Sequence, residues 1–287
     1  MHRPNAFSVS LFSIIRNPRL SQSSNLGLKL ANAFGVSTMF LTHSAQLFYD
    51  ALLTLAYPQV CAICGGSVER RKFGVACEAC WNRTRIFTGA ETLCWKCGVP
   101  AIVEVAGAVR EEVRCRRCDS QSFTAARAAG LYEGALRESV LLLKRQPNLS
   151  QHVETLLTAT AMREPFKLST RIVPVPLHPR RMRTRGFNQA SIVAQVLSKS
   201  LRLPLDEESL VRVSSSEKYR AGLDAKGRHD TVVGAFEVRH PKLVENEEVL
   251  LVDDVFTTGS TVSACAEALV AAGARNVFVL TIARASL

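Results

Sequence analysis

The chain of 287 residues is long enough for one large domain, or for a medium-sized domain with an appendage. It contains no run of about 18 uninterrupted apolar residues, which excludes a membrane-spanning helix. The net charge of +11 at pH 7 favours polyanionic partners, and the phosphates of a small substrate or of a nucleic acid satisfy it equally well.

Residues 1–44 are interpreted as an extension to the folded protein. The first 49 residues contain no acidic residue, and Arg, Ser and Asn are scattered among apolar positions. Such a composition is typical of an organelle-targeting peptide. It also fits a disordered or amphipathic extension, or a start codon assigned too early with Met39 as the true beginning. We favour the last two explanations and expect no folded domain in this segment.

Residues 45–122 are predicted to form a cysteine-rich module that begins with a helix over residues 45–57. Eight of the nine cysteines fall in four Cys-x2-Cys pairs, which suit thiolate ligation of a metal better than a disulfide framework. Such pairs form the knuckles of four-cysteine zinc ribbons. They are Cys61 and Cys64, Cys77 and Cys80, Cys94 and Cys97, and Cys115 and Cys118.

These eight cysteines predict one or two structural zinc ions. Sequential pairing would give two ribbons and crossed pairing an interleaved module, and the spacing alone leaves both open. Four sulfurs around an ion leave no open coordination position, so the site is structural rather than catalytic. Reduced, metal-bound cysteines indicate a cytoplasmic protein. The ninth cysteine, Cys265, is predicted to be a small core residue of a helix.

Residues 123–287 are predicted to form an α/β domain in which a parallel sheet is flanked by helices. Helical spacing of apolar residues follows the first strand, where Leu136, Val140 and Leu143 share one face. The polar stretch 214–233 lacks apolar periodicity and is predicted to be a mobile flap. Apolar runs predict strands at residues 125–132, 171–177, 209–213, 235–238, 249–255 and 275–285.

The segment EEVLLVDDVFTTGSTV, residues 247–262, is predicted to build an anion-binding edge of the sheet. Asp253 and Asp254 sit where the apolar strand is expected to end, and a hydroxyl-rich turn leads from them into an Ala-rich helix. Unpaired N–H groups at a helix N-terminus bind phosphate, and hydroxyls add further donors. The turn residues are Thr257, Thr258, Gly259, Ser260 and Thr261.

The two carboxylates predict a second ligand group beside the phosphate, because they would repel the phosphate itself. A cis-diol and a hydrated Mg²⁺ are the partners that an adjacent acidic pair suits. A ligand with a phosphate, a diol and a metal-bound group is a phosphorylated ribose. Neither the P-loop motif GxxxxGK[ST] nor the dinucleotide motif GxGxxG occurs in the chain. Simple capping of the helix by these residues is the alternative interpretation.

The segment HPRRMRTRGFNQA, residues 178–190, is predicted to be a basic loop that follows the strand 171–177. Because this strand is expected to lie in the same parallel sheet as the acidic pair, the loop would meet the far end of the ligand. A nucleic-acid contact and a solvated loop are the alternatives.

The motif LLVDDVFTTGST resembles the signature of the type I phosphoribosyltransferases. Its combination with the zinc knuckles and VPVPLHPRRMRTRGFNQA resembles the ComF family of competence-associated proteins, over residues 45–284. The resemblance implies a type I phosphoribosyltransferase sheet that binds phosphoribosyl pyrophosphate and Mg²⁺. Family members typically carry Gln and Asn in the flap, whereas the aligned positions here hold Arg220 and Thr231. The extension 1–44 also lies outside the family pattern.

The resemblance assigns roles to the site residues. Asp253 and Asp254 would hold the ribose hydroxyls and act in catalysis, and the turn 257–261 would bind the 5′-phosphate. The diphosphate would be held by Arg181, Arg185 and Lys218. The implied reaction is displacement of pyrophosphate at the anomeric carbon, with an acceptor that the sequence does not identify.

The resemblance further implies a cytoplasmic protein linked to DNA uptake and natural transformation, with single-stranded DNA and a helicase as partners. The alternative hypothesis is a non-catalytic single-stranded-DNA-binding protein on the same fold. Arginines beside the zinc knuckles would then bind phosphates, unless they form only a solvated basic face. Trp81, Trp95 and Phe187 would be the platforms on which bases stack.

Overall fold

The computed structural model describes residues 57–101, 113–213 and 234–286. All of them belong to one compact unit. No helix in these three ranges is long and apolar enough to span a bilayer. The predicted extension 1–44, nearly all of the helix expected over 45–57 and the flap with Lys218, Arg220 and Thr231 lie outside the described residues. The domain boundary between residues 122 and 123 stays a prediction.

Among the described residues, the cysteine-rich region contains only short helical segments, and the longer helices and the strands follow it. Short 3-10 turns lie at Arg71–Phe73, Arg116–Cys118, Phe166–Leu168 and Pro241–Leu243. The helices are α1 (Glu78–Asn82), α2 (Gly134–Leu143), α3 (Gln151–Ala161), α4 (Pro179–Arg185), α5 (Gln189–Leu201) and α6 (Ser260–Ala271). The strands are β1 (Ala125–Leu131), β2 (Arg171–Pro174), β3 (Leu210–Arg212), β4 (Phe236–Val238), β5 (Glu248–Phe256) and β6 (Asn276–Arg284).

Four strands form a parallel sheet in the order β1-β6-β5-β2. Strand β5 occupies an inner position, where Asp253 lies opposite Thr281 of β6 and Val252 lies opposite Pro174 of β2. Strands β3 and β4 form a separate antiparallel pair. The carboxyl ends of β5, β6 and β2 therefore meet at one edge, where the predicted site residues lie.

Helices cover both faces of the sheet, as the uniform apolar character of β5 requires. Leu250 and Val252 belong to a core that includes residues of α2, α3 and α5. Val249 and Leu251, which point to the other face because strand side chains alternate, pack in a second core with α6. The predicted fold class, a parallel sheet flanked by helices after a cysteine-rich module, is confirmed.

Two local predictions are corrected. Strand β5 does not end at Asp253 and Asp254, because its pairing with β6 continues as far as Phe256, opposite Arg284. The predicted basic loop after β2 is helix α4. His178 caps that helix by accepting a hydrogen bond from the Arg180 N–H at 3.1 Å, and Gly186 at φ 81° ends it. Pro at the first helical position and Gly beyond the last are common helix boundaries.

Candidate active site and metal centres

The first cysteine cluster joins the two knuckles nearest the N-terminus. The sulfurs of Cys61, Cys64, Cys77 and Cys80 all lie within 4.8 Å of one another. The knuckle formed by Cys61 and Cys64 is closed by a hydrogen bond from the Cys61 N–H to the Gly66 carbonyl at 2.7 Å. This cluster packs against helix α3, where the rings of Phe73 and Trp81 contact His152.

The second cluster consists of Cys94, Cys97, Cys115 and Cys118. Its sulfurs lie 3.4 Å apart between Cys97 and Cys115 and 3.6 Å apart between Cys94 and Cys118. A tetrahedral zinc with Zn–S bonds of about 2.3 Å needs sulfurs about 3.8 Å apart, so both clusters fit this ion. The pairing is therefore sequential, which the spacing had left open.

The ninth cysteine takes no part in either cluster. Cys265 is fully buried in α6, as predicted for a core residue, and all nine cysteines are free of disulfides. The two clusters are four-cysteine zinc-binding sites of the structural type.

The acidic pair lies on β5 at the carboxyl edge of the sheet. Asp254 is buried, and its Oδ2 accepts hydrogen bonds from Lys144 Nζ at 3.1 Å and from Gln189 Nε2 at 3.3 Å. Arg185, at the end of α4, donates to Gln189 Oε1. A chain of polar contacts thus connects Arg185 through Gln189 to Asp254, and brings two cations towards the acids.

Asp253 differs from its neighbour in its surroundings. Its Oδ1 accepts the Asp254 N–H at 2.8 Å, and its side chain is half-buried. Burial and the negative charge of Asp254 raise the pKa of the Asp253 carboxyl to about 8. The Asp253 carboxyl therefore carries its proton at neutral pH in the ligand-free protein, although Lys144 lies close enough to oppose this shift.

The turn after β5 leads into α6, as predicted. Gly259 precedes the helix with φ 84°, and Thr257 and Thr258 beside it are exposed. Thr258 Oγ1 and Ser260 Oγ share a hydrogen bond of 2.9 Å. The first N–H groups of a helix have no carbonyl partner within it, so this turn offers backbone and hydroxyl donors to an anion.

Residues 52–120 match the family model named Double zinc ribbon domain. The chain is also 30% identical over 238 residues to the DNA utilization protein YhgH of Escherichia coli K12, which spans 80% of this chain and 99% of that protein. The chain belongs to the ComF family. Competence protein ComFC of Bacillus subtilis is 24% identical over 199 residues, or 69% of this chain and 78% of that protein.

Solved structures give a weaker likeness. Glutamine phosphoribosylpyrophosphate amidotransferase from B. subtilis is similar at 16% identity and a TM-score of 0.34, over 50% of this chain and 30% of that one. A likeness of this size supports no conclusion about the site of the ComF protein.

The predicted basic residues of the ComF site differ in whether polar contacts link them to the acids. Arg185 is partly buried and is linked to Asp254 through Gln189. Arg181 is exposed one turn earlier on α4, and no contact joins it to the acids within the described residues. Lys218 lies outside the described residues, so its role stays a prediction.

Sequence reasoning missed two residues of the ComF site. Lys144 directly follows helix α2, and no role at the site was predicted for it. Gln189 belongs to the GFNQA motif, but no role was assigned to it. No local sequence pattern marks either residue as part of the site, because their proximity to Asp254 depends on how α2 and α5 pack on the sheet.

One proposed base-stacking residue is corrected. Trp81 is only 4% exposed, and its Nε1 donates to the Phe73 carbonyl at 3.0 Å, so its ring is a core residue of the first ribbon. Trp95 is 36% exposed and Phe187 is half-buried. Among the three rings, Trp95 presents the most surface to a ligand.

Proposed function

We propose that this ComF protein binds phosphoribosyl pyrophosphate and Mg²⁺ and transfers the phosphoribosyl group to an acceptor. The observation that carries the proposal is the Asp253 and Asp254 pair beside a hydroxyl-rich turn that begins helix α6. An acidic pair and an anion-binding turn, placed side by side, match the diol and the 5′-phosphate of a ribose phosphate.

Each part of the donor substrate has a proposed partner. Asp253 and Asp254 accept hydrogen bonds from the ribose hydroxyls, and the turn 257–261 holds the 5′-phosphate. Arg181, Arg185 and Lys218 hold the diphosphate. The link from Arg185 through Gln189 to Asp254 supports this arrangement, because it ties the diphosphate side of the site to the diol side.

The catalytic contribution of these residues is electrostatic. Positive charge grows on the ribose as the bond to the diphosphate lengthens, and the nearby carboxylates stabilise it. Arginine and lysine stabilise the charge that collects on the departing diphosphate. Carboxylate oxygens are hard ligands that fit Mg²⁺, which when bound neutralises part of the diphosphate charge.

Thermal unfolding tests the proposal. Phosphoribosyl pyrophosphate with Mg²⁺ is expected to raise the melting temperature of the zinc-loaded protein, because a ligand that binds only the folded state stabilises it. Asp254→Asn should abolish the rise. Glu237→Gln, an exposed acid-to-amide change on β4, should leave it intact. A melting temperature that the ligand leaves unchanged in the unaltered protein would refute the proposal.

The cellular part of the proposal comes from the relatives, whose names refer to DNA utilization and competence. We propose a cytoplasmic role in DNA uptake and natural transformation, with single-stranded DNA and a helicase as partners. Transformation frequency measures this role in a transformable host whose own ComF gene is deleted. The unaltered gene should restore transformation and Asp254→Asn should not, whereas equal restoration by both would contradict the link to the site.

One observation favours the second candidate function, direct binding of single-stranded DNA. The Arg114 guanidinium lies 5.6 Å from the exposed Trp95 ring, and Arg116 and Arg117 are exposed nearby in sequence. Such a surface supplies one stacking platform and several cations. Affinity for an oligonucleotide should fall steeply with salt, and Trp95→Ala should weaken it. Salt-independent binding would contradict this candidate.

A further inference from the structure

Two arginines of the parallel sheet lie against the second cysteine cluster. Arg284 is the last residue of β6 and is only 2% exposed. It donates a hydrogen bond to the Cys97 carbonyl, and its Nη2 lies 3.8 Å from the Cys97 sulfur. Arg127, half-buried on β1, donates to the carbonyls of Cys94 at 3.4 Å and Trp95 at 2.9 Å. Both guanidiniums therefore face the knuckle formed by Cys94 and Cys97.

Neither guanidinium has a carboxylate to balance its charge within the described ranges. The ion pairs of these ranges join other residues, and no Asp or Glu oxygen there lies within 4.0 Å of either arginine. Arginine stays protonated in proteins, and a buried cation is costly unless an opposite charge lies close to it. One Zn²⁺ bound by four thiolates leaves an excess of two negative charges, which two guanidiniums balance.

The first cluster is more open to water. Arg83 Nη2 lies 3.5 Å from the Cys80 sulfur, but the Arg83 side chain is exposed. Cys64 of this cluster is also exposed, whereas no cysteine of the second cluster is. Water screens charges at such a surface, so the protein has less need to supply a counter-ion there. Arg83 is therefore a matched control for Arg284, because it lies at a similar distance from a zinc-binding sulfur.

Arg284 also contacts the strand that leads into the proposed phosphate turn. It lies opposite Phe256 in the pairing of β6 with β5, and its guanidinium lies 4.6 Å from the centroid of the Phe256 ring. The ring reaches the turn, because a Cβ added at Gly259 would lie 2.8 Å from Phe256 Cζ. A series of contacts thus runs from Cys97 through Arg284 and Phe256 to Gly259.

A second contact joins the same ribbon to helix α6. The Ser122 N–H, four residues after Cys118, donates to Ser263 Oγ at 2.9 Å. Lys96, from the other knuckle of the cluster, donates from its Nζ to the Gln121 carbonyl at 2.7 Å. The second ribbon therefore contacts the elements on both sides of the turn 257–261, β5 through Arg284 and α6 through Ser122.

We propose that Arg127 and Arg284 are the counter-ions of the second zinc–thiolate centre, and that Arg284 holds the turn 257–261 through Phe256 when zinc is bound. Arg284 is a positioning residue, since it acts on the turn through the Phe256 ring. Structural zinc contributes to the folding of a ribbon, so loss of the ion frees the Cys97 carbonyl that Arg284 binds. The counter-ion role is independent of the proposed transferase function, whereas the effect on its donor substrate rests on that function.

Zinc affinity of the full-length protein tests the counter-ion role. Zinc content is measured over a series of chelator-buffered free zinc concentrations. Arg284→Met keeps much of the side-chain volume without the charge, and it should weaken the binding of one of the two ions by about 10–100-fold, as loss of a partner beside a metal ligand generally does. Arg83→Met should leave the binding of both ions unchanged. An unchanged zinc affinity in Arg284→Met would overturn the proposal.

Two measurements assign the weakened site and separate charge from packing. At a free zinc concentration that empties only the weaker site, thiol alkylation mapped by mass spectrometry should label the second cluster and spare the first. Arg284→Lys, which restores the charge, should recover part of the lost affinity. Labelling of the first cluster, or equal zinc affinities of Arg284→Lys and Arg284→Met, would contradict the counter-ion role. Should Arg284→Met fail to fold, Arg127→Met, at a half-buried position, is judged by the same affinity and labelling outcomes.

Amide hydrogen exchange at saturating zinc, without other ligands, tests the coupling to the turn. Peptides that cover residues 256–263 should lose protection in Arg284→Met and keep it in Arg83→Met. Unchanged protection in Arg284→Met would overturn the coupling. The thermal shift with phosphoribosyl pyrophosphate and Mg²⁺, measured on the same preparations, should be smaller in Arg284→Met. Lost protection together with no thermal shift in the unaltered protein would refute the transferase and keep the coupling.

Discussion

Lys144 Nζ lies 3.1 Å from Oδ2 of Asp254, so a cation from the end of helix α2 meets the second acid of β5. The Lys144 side chain is 31% exposed and that of Asp254 is 10% exposed. The charge of Lys144 offsets that of a carboxylate which the sheet edge largely shields from water. The ion pair therefore connects the end of α2 to the acidic pair of β5 in the ligand-free protein.

Lys144→Met should destabilise the protein by about 1–3 kcal/mol, because it leaves a buried carboxylate without its cation. This loss of stability is smaller than that expected for a fully buried ion pair, because water reaches part of the Lys144 side chain. Adding Asp254→Asn should recover part of the loss. Urea unfolding of the four combinations gives the coupling energy between the two residues.

The exposed pair Arg85 and Glu133 is the matched control for this cycle, with side chains 70% and 38% exposed. Arg85→Met combined with Glu133→Gln should show no coupling beyond experimental error. A coupling between Lys144 and Asp254 as small as that of the control would contradict the structural role of the buried pair.

The segment 247–262, which runs from β5 through the turn into α6, was predictable from sequence because each of its elements is specified by neighbouring residues. The apolar run at 249–252 and the Ala-rich segment after Gly259 each specify one element, and their order places the turn between them. The Cys-x2-Cys spacing likewise specified zinc ligation. It could not specify the pairing, since sequential and crossed arrangements use the same knuckles.

The contacts around Asp254 could not be predicted, because Lys144 and Gln189 reach it from separate helices. Their proximity follows from strand order, which places β2 beside β5, and from the packing of α2 on the sheet. Helix α4 was missed for a different reason. Its repeated arginines suggested a basic ligand-binding loop, although Pro179 and Gly186 mark the two ends of a helix.

The raised pKa of Asp253 predicts how stability depends on pH. The folded carboxyl titrates near pH 8 and the unfolded one near 3.8, so between these values the folded state binds more protons. The free energy of unfolding should therefore fall as the pH rises from about 6 to about 8. Asp253→Asn should weaken this dependence and stabilise the ligand-free protein by about 1–3 kcal/mol at the upper end.

Melting temperatures across this pH range, measured without ligand, check the prediction, with Glu237→Gln as the exposed control. A stability that rises with pH in the unaltered protein, or a slope that Asp253→Asn leaves unchanged, would contradict the raised pKa.

Metal content tests the sequential pairing of the cysteines. The purified protein should hold two zinc ions per chain, and Cys61→Ala or Cys97→Ala should each lower the content to one, since each residue belongs to a different cluster. Cys265→Ala should retain both ions. Elemental analysis measures the content, and a single substitution that releases both ions would indicate shared ligands and contradict the separate clusters. Chelation should unfold the ribbons, because zinc binding contributes to their folding.

Gly259→Ala tests the turn on which the phosphate proposal depends. A Cβ at this position would lie 2.8 Å from Phe256 Cζ and 2.8 Å from Gln121 Oε1, in a backbone with φ 84° that alanine disfavours. Gly186→Ala is the matched control, because its φ is 81° and nothing lies within 4 Å of the added carbon.

Both variants should lose about 1–2 kcal/mol of folding stability, because alanine disfavours the left-handed backbone conformation. Gly259→Ala should lose about 1–3 kcal/mol more from the clash, as judged by urea unfolding. It should also lose the thermal shift with phosphoribosyl pyrophosphate and Mg²⁺, which Gly186→Ala should largely keep. Equal losses in the two variants would show that the turn tolerates a side chain and that Gly259 is not needed for a close approach.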